Sequence, residues 1–301
     1  MQLDLSLFCA FGRGSRGLRA VIPGLKEEDL DEEKIRSIGY PKDVVSEWLS
    51  GKYSVPLNAL RTGFDFNKIK FLQVRGSKGK IKVPEFGSDF AYFLGVVLGD
   101  GHVKGSFRKE GYRRYLVTIK KKRTQYSEFV LPELIEKLFG VKPRIYFSWR
   151  KSEIISINLN SKVISEILTK LFDFAMGKKN DLVIAKAEEW PEDIKRHFVA
   201  GLFDTDGGVS SNSYAFCSSL ERISRFVLDF LTQNGIECSV YRQHKGDFSW
   251  TLVYVKAKSK EKFLRLLPLK NSSKYGCLGR DLNPRPSDYE SDAHSRLSYR
   301  G

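Results

Sequence analysis

Two segments of this chain end alike. Phe93-Leu94-Gly95-Val96-Val97-Leu98-Gly99-Asp100-Gly101 and Val199-Ala200-Gly201-Leu202-Phe203-Asp204-Thr205-Asp206-Gly207 each read as an apolar helix running into Asp-Gly. Each carries small residues four apart, Gly95 with Gly99 and Gly201 with Thr205, and that spacing lets two helix backbones approach closely. Packed side by side, the helices would bring Asp100 and Asp206 together across a pseudo-two-fold axis. Two converging carboxylates form a hard-oxygen site suited to Mg²⁺, with Mn²⁺ as a substitute. Divalent metal held there would activate water and stabilise the leaving oxygen of a phosphodiester. One Asp-Gly after a helix is ordinarily a cap or a turn; the duplication carries the chemical reading.

The elements that must position these carboxylates are duplicated as well. After the first Asp-Gly come a strand over Arg114–Lys120, a helix over Tyr126–Phe139, a hairpin over Arg144–Leu159 and a helix over Val163–Phe174. After the second come a strand over Tyr214–Ser218, a helix over Leu220–Gln233 closed by Gly235, a hairpin from Ser239 to Lys256 turning near Gly246, and a helix over Lys260–Leu267. Roughly 100 residues separate the copies, which signals one duplication rather than a solenoid. The fold class is α+β.

On these residues the chain resembles a monomeric, two-motif LAGLIDADG homing endonuclease, over about Glu85–Lys274. The resemblance implies two pseudo-symmetric αββαββα repeats whose sheets form a DNA-binding saddle. It implies hydrolysis of both strands of a specific double-stranded DNA site, as in intron homing. Asp100 and Asp206 are then the metal ligands, with the backbone carbonyls of Gly99 and Thr205 as weaker candidates. Asp204 reads as a cap or pairing residue at the helix interface, its counterpart being the apolar Leu98. The family also uses basic residues near the metals. Lys120 is the first choice, with Lys121 or Lys122 reached by a small register change. The second repeat reads Ala215-Phe216-Cys217-Ser218-Ser219 there, without a lysine, and Lys256 is the candidate substitute. An RNA intron maturase or a non-cleaving DNA-binding regulator on the same saddle stays open. An intein is disfavoured, because residue 1 is no nucleophile and the chain has no C-terminal His-Asn.

Strand alternation supports a groove reader. Ile145, Phe147 and Trp149 form one face of their strand, and Arg144, Tyr146, Ser148 and Arg150 the other. On the return strand Ile155, Ile157 and Leu159 point inward, while Ser156, Asn158 and Asn160 point outward. In the second repeat Tyr241 and Gln243 are the outward choices. Such a face can track phosphates and base edges. His102 reads as a strand starter rather than a ligand, and His197 and His244 have no ligand spacing with each other or with cysteine.

Composition agrees with a nucleic-acid partner. The chain has 301 residues with 51 Lys+Arg against 36 Asp+Glu, a formal charge of +15 that favours a polyanion. Cys9, Cys217, Cys238 and Cys277 make no C-x-x-C pair, which fits reduced cysteines in a cytoplasmic, nucleoid-associated protein. Apolar runs such as Tyr92–Leu98 are too short to span a bilayer, and Met1–Gly12 lacks the features of a signal peptide.

Residues 1–64 read as a small helical domain. Gly39…Val45-Ser46-x-Trp48-Leu49-x-Gly51-Lys52…Val55-Pro56 resembles the helix-turn-helix of phage-repressor-like regulators, with a further helix over Pro56–Leu60. Asp43 and Glu47 would repel phosphates there. A basic linker is expected at 65–84, followed by repeats at 85–180 and 181–274. The tail, 275–301, reads as disordered. Gly279–Pro286 and Ser295–Gly301 can be back-translated as a tRNA gene read in antisense, which would make the tail a read-through scar.

Overall fold

A computed structural model describes residues 3–8, 18–74, 79–107, 113–148, 153–177, 179–210, 213–245 and 248–275. The expected tail beyond Tyr275 and the turn at Gly246 lie outside the described residues. The N-terminal unit contains β1 (Leu18–Val21), α1 (Glu32–Ile38), α2 (Lys42–Leu49), β2 (Val55–Pro56), β3 (Phe71–Val74) and β4 (Ile81–Lys82). The two helices form as expected: Asp31 accepts the Lys34 N–H as N-cap, and Gly39 closes α1 at φ +73°. The third helix does not form. Val55 and Pro56 pair instead with Ala20 and Arg19 on β1, leaving a single 3₁₀ turn at Leu57–Ala59. The unit is therefore built on a four-stranded antiparallel sheet, β2-β1-β3-β4, and the helical-domain expectation is corrected. Leu57 and Ala59 are buried, so tertiary packing decides the local structure there. The expected linker is also structural, since β3 and β4 lie within 65–84 and bury Leu72 and Ile81.

The rest repeats one plan. The first copy is α3 (Ser88–Asp100), β5 (Gly101–Phe107), β6 (Arg113–Lys122), α4 (Leu131–Phe139) entered through a π-helical turn at Tyr126–Val130, β7 (Arg144–Phe147), β8 (Ile154–Leu159) and α5 (Lys162–Glu166), which continues π-helically to Leu171. The second is α6 (Leu182–Ala187), α7 (Glu192–Asp206), β9 (Gly207–Ser210), β10 (Ser213–Ser218), α8 (Glu221–Gln233), β11 (Cys238–Lys245), β12 (Phe248–Val255), α9 (Lys260–Leu266) and a short α10 (Ser272–Tyr275). Both sheets are antiparallel and share one strand order, β5-β6-β8-β7 and β9-β10-β12-β11. None of the described helices is long and apolar enough to cross a membrane.

The core lies behind the sheets, where α3 and α7 pack against each other. A Cβ on Gly95 would collide with the Phe198 carbonyl oxygen and sit 3.0 Å from the Leu202 nitrogen. A Cβ on Gly201 would meet the Tyr92 carbonyl oxygen and the Val96 nitrogen in the same way. The register that interchanges these two sets of contacts is the one that relates Asp100 to Asp206. Ten consecutive residues of α3, Phe90–Gly99, are buried, so this helix is apolar all round because it is wrapped all round. Phe90, Phe93 and Phe139 pack at its outer side with centroids 5.2–6.3 Å apart.

Candidate active site at the paired helix ends

Close packing of α3 on α7 carries their last residues, Asp100 and Asp206, to one end of the interface, where each helix enters the first strand of its repeat. The two carboxylates are held differently. Lys121 donates to Asp100 Oδ2 at 2.5 Å and to the Asp204 carbonyl oxygen at 3.0 Å. Lys179 donates to the Gly99 carbonyl oxygen at 2.8 Å and to Asp206 Oδ2 at 3.3 Å. A third ammonium, on Lys274, donates to the carbonyl oxygens of Thr205 at 2.5 Å and Gly207 at 2.6 Å. Burial raises the Asp206 carboxyl above its ordinary range, against the pull of Lys179 and with the push of Asp100. Burial likewise brings Lys274 down to about 8, helped by Lys121 and opposed by the three aspartates.

Strand parity explains which lysine reaches the site. Val117 and Ile119 of β6 point into the core, so Lys121 shares their face and its side chain is only 8% exposed. Lys120, the first choice from sequence, points the other way and is exposed on the groove face. Lys256 is exposed and pairs with Glu237 at 3.5 Å, touching neither aspartate. Lys179 and Lys274 escape a reading of the sequence because both arrive from segments that follow a repeat. Lys179 is aimed by its connector: Gly177 donates to the Val103 carbonyl at 2.8 Å, and Asn180 bonds Ala175 and Asp173 across the loop.

Asp204 is fully buried and acts as a clasp. Its Oδ2 accepts from the Tyr92 hydroxyl at 2.5 Å, from Lys270 N at 2.6 Å and from Asn271 N at 3.2 Å, while Oδ1 has no partner. Burial pushes this carboxyl up to about 6 despite those donors. The clasp and a Tyr275 hydroxyl bond to the Phe203 carbonyl, 2.6 Å, fix the segment that carries Lys274.

Can these groups hold a divalent cation? The donors are the carboxylates of Asp100 and Asp206 and the carbonyls of Gly99 and Thr205, all hard oxygen. The Lys179 ammonium lies between Gly99 O and Asp206 Oδ2, a cation already bridging an oxygen from each helix. The oxygens therefore fit such an ion, provided that ammonium groups give way at the two carbonyls. Among the described residues no cluster of three or more His, Cys, Asp or Glu offers another metal site.

The sheets lie beside this centre. His102, Lys104, Thr118, Lys120, Ser156, Asn158, Arg144 and Tyr146 share one face of the first sheet by register. Lys104, Lys120, Arg144 and Tyr146 are exposed, Ser148 is half-buried just past β7, and Asn158 Oδ1 lacks a partner. His102 is held below its usual range by burial and by Lys104 and Lys120. Phe147, expected inward, is 54% exposed at the last position of β7, the edge strand of its sheet, with Arg123 over its ring at 5.3 Å. Trp149 and Arg150 lie outside the described residues. On the second sheet Tyr241 is 58% exposed, and Gln243 accepts from Trp250 Nε1 at 2.9 Å.

Residues 193–268 match the family model described as a LAGLIDADG-like domain. In sequence the chain is similar to the replication factor C small subunit of Methanocaldococcus jannaschii, 28% identical over 155 residues that make up 50% of this chain and 8% of that protein. It is also similar to the ribonucleoside-diphosphate reductase NrdEB subunit alpha of Bacillus subtilis, 26% identical over 207 residues, 63% of this chain and 18% of that protein. The chain thus spans less than a fifth of the length of either relative. In structure it is similar to the homing endonuclease I-DmoI in complex with DNA and Ca, with a TM-score of 0.50 and 16% identity over 62% of this chain and 96% of that one.

Proposed function

We propose that this chain, which carries a LAGLIDADG-like domain on the LAGLIDADG fold, is a site-specific endonuclease that hydrolyses both strands of double-stranded DNA with Mg²⁺ or Mn²⁺. The observation that carries this reading is the pair Asp100 and Asp206, on two glycine-packed helix ends beside two antiparallel sheets. Both halves sit in one chain, so a monomer suffices to meet both strands. Bound at Asp100, Asp206, Gly99 O and Thr205 O, divalent metal would lower the pKa of water and offset charge on the leaving oxygen.

The chain's own groups do the rest. Lys104, Lys120 and Arg144 hold phosphates and set the register of the duplex. Asn158 and Tyr146 on the first sheet, and Tyr241 and Gln243 on the second, face the bases. Lys121 aims the Asp100 carboxylate, and Lys179 that of Asp206. The ammonium groups on Gly99 O and Thr205 O favour a second reading, a DNA- or intron-RNA-binding protein that does not cut, because they cover oxygens the metal would use.

Cleavage of plasmid or genomic DNA with Mg²⁺ separates the two. The wild-type protein should cut, and Asp100→Asn or Asp206→Asn should lose cutting by on the order of 1,000-fold while retaining DNA affinity. Binding by the wild-type protein without metal-dependent cutting would overturn the nuclease reading. Affinity for RNA and DNA at one fixed salt concentration would then tell a maturase from a regulator.

A further inference from the structure

The N-terminal unit takes no part in the site described above, yet it is built onto the first repeat. Leu18, Ala20, Leu72 and Val74 share one apolar face of its sheet by register. Lys82 of β4 donates to the Lys137 carbonyl oxygen on α4 at 3.3 Å, and the Lys170 ammonium lies 5.9 Å from the centre of the Phe8 ring. Where β7 begins and β8 ends, a cavity of about 250 Å³ remains between the β3–β4 pair and the repeat.

Its lining sorts into an apolar interior and a polar rim. Ile81, Leu159, Val163 and Ile164 are buried, and Val74 and Val141 supply one half-buried wall from each unit. Arg144 and Asn158 also line it, and these two are cross-strand partners on the groove face, so the cavity opens at the rim of that face. Lys142 stands exposed beside Arg144, 3.8 Å from Glu136. The Ser161 hydroxyl accepts the Ile164 N–H at 3.3 Å, which leaves its own hydrogen to donate. Among the described residues that line the cavity there is no Asp or Glu. Apolar walls, a hydroxyl and an amide, and two cations at the mouth suit a flat ring joined to an anion. A cavity of about 150 Å³ takes a benzene, so this one has room for a nucleobase. The charged backbone of a duplex cannot enter it without losing its hydration.

We propose that this cavity receives one extrahelical nucleotide of a DNA strand lying along the first sheet, its base between Ile81, Val141 and Val163 and its phosphate on Lys142 and Arg144. The proposal rests on the DNA-binding part of the reading above and requires no cutting. The N-terminal unit is then the outer wall of a base pocket. Sequences whose base at that position leaves the stack at low cost are favoured, without any hydrogen bond to a paired base edge.

The test uses the full chain and a duplex that the wild-type protein selects by binding from a randomised library. One unpaired 2-aminopurine is inserted at successive positions of each strand, which removes the cost of unpairing. At one position the bulged duplex should bind on the order of 10-fold tighter than the fully paired one, and there the fluorescent base should be shielded from acrylamide quenching. Val74→Trp and Val141→Trp each fill the cavity, one from each unit. Both should abolish the gain and the shielding while binding the paired duplex as before, a control that also reports folding. Free adenosine monophosphate, equimolar with the duplex, should displace nothing; displacement of the shielded base would assign the cavity to a free nucleotide and overturn the strand assignment. Equal affinity for paired and bulged duplexes at every position, or a gain that survives in both tryptophan variants, would overturn the inference and leave DNA binding standing. A wild-type protein without affinity for any duplex would overturn the DNA reading itself, and this inference with it.

Discussion

The two sheets have one strand order and opposite characters. The groove face of the first carries Lys104, Lys120, Arg144 and His102 among Thr118, Ser156 and Asn158. The same face of the second carries Ala215, Cys217, Ser239, Tyr241, Gln243, Trp250, Leu252 and Tyr254, with no lysine or arginine among them. Duplication has kept what the backbone cannot do without and released what merely points outward. On the proposed reading, two unlike faces would suit an asymmetric DNA site, one half held by phosphate contacts and the other by apolar contact with base edges.

What the backbone cannot do without is the glycine pair, and breaking it should have the largest effect. Gly95→Ala and Gly201→Ala each drive a Cβ into a helical carbonyl of the partner, and neither backbone can retreat without parting α3 from α7. Each should cost at least about 3 kcal/mol in denaturant unfolding, the upper end for overpacking, and the two should match. Gly99→Ala would put its Cβ 2.5 Å from Thr205 Cβ, a clash that no rotation of the threonine relieves, and should be destabilising as well. Unequal losses from Gly95→Ala and Gly201→Ala would argue against the pseudo-symmetric packing.

The next effect probes where the helices differ, at Leu98 and Asp204. Burial holds the Asp204 carboxyl at about 6, above its ordinary 3.8, so folding favours the neutral form. That stabilisation is complete below about pH 4 and is lost as pH rises through about 6, a swing of about 3 kcal/mol. Asp204→Asn keeps an acceptor for Lys270 N and Asn271 N but cannot ionise. Between about pH 4 and 7 the wild-type protein should therefore lose stability relative to this variant by up to about 3 kcal/mol. Parallel pH profiles for the two proteins would show that Asp204 does not titrate in this range.

These pairs also mark how far the sequence could be read. Small residues four apart and a repeated Asp-Gly exposed the helix pair and the two carboxylates, and alternation exposed the strands beside them, because periodicity and steric need leave a local trace. Lys121 was within reach as an alternative, since Val117 and Ile119 define the buried parity, but a one-residue register error turns a lysine to the other face. Lys179 and Lys274 left no trace: they lie outside the repeated elements, and only tertiary docking of the connector and of the segment after α9 brings them in. The N-terminal unit failed for a related reason. Val55-Pro56 reads as a helix start locally, and becomes an edge strand because β1 is there to pair with it.

The smallest effects should divide the two groove faces by their response to salt. Lys104→Ala, Lys120→Ala and Arg144→Ala each remove one exposed cation from the first face. If each neutralises a phosphate, each should lower the slope of log Kd against log salt by about 1 and weaken binding similarly on all sequences. Tyr241→Ala removes a ring that is 58% exposed and packs edge-on against Tyr254 at 5.5 Å. It should weaken binding by about 1 kcal/mol, leave the salt slope unchanged, and act on one half of the site only. Fluorescence anisotropy across a salt series, on a labelled duplex that the wild-type protein selects by binding from a randomised library, measures both quantities. A salt slope that falls for Tyr241→Ala, or stays fixed for all three cation variants, would dissolve the distinction between a phosphate-holding sheet and a base-facing one. The charge of the chain would then act as a diffuse field, and any preference among DNA sequences would have to come from how far each duplex deforms to reach the protein.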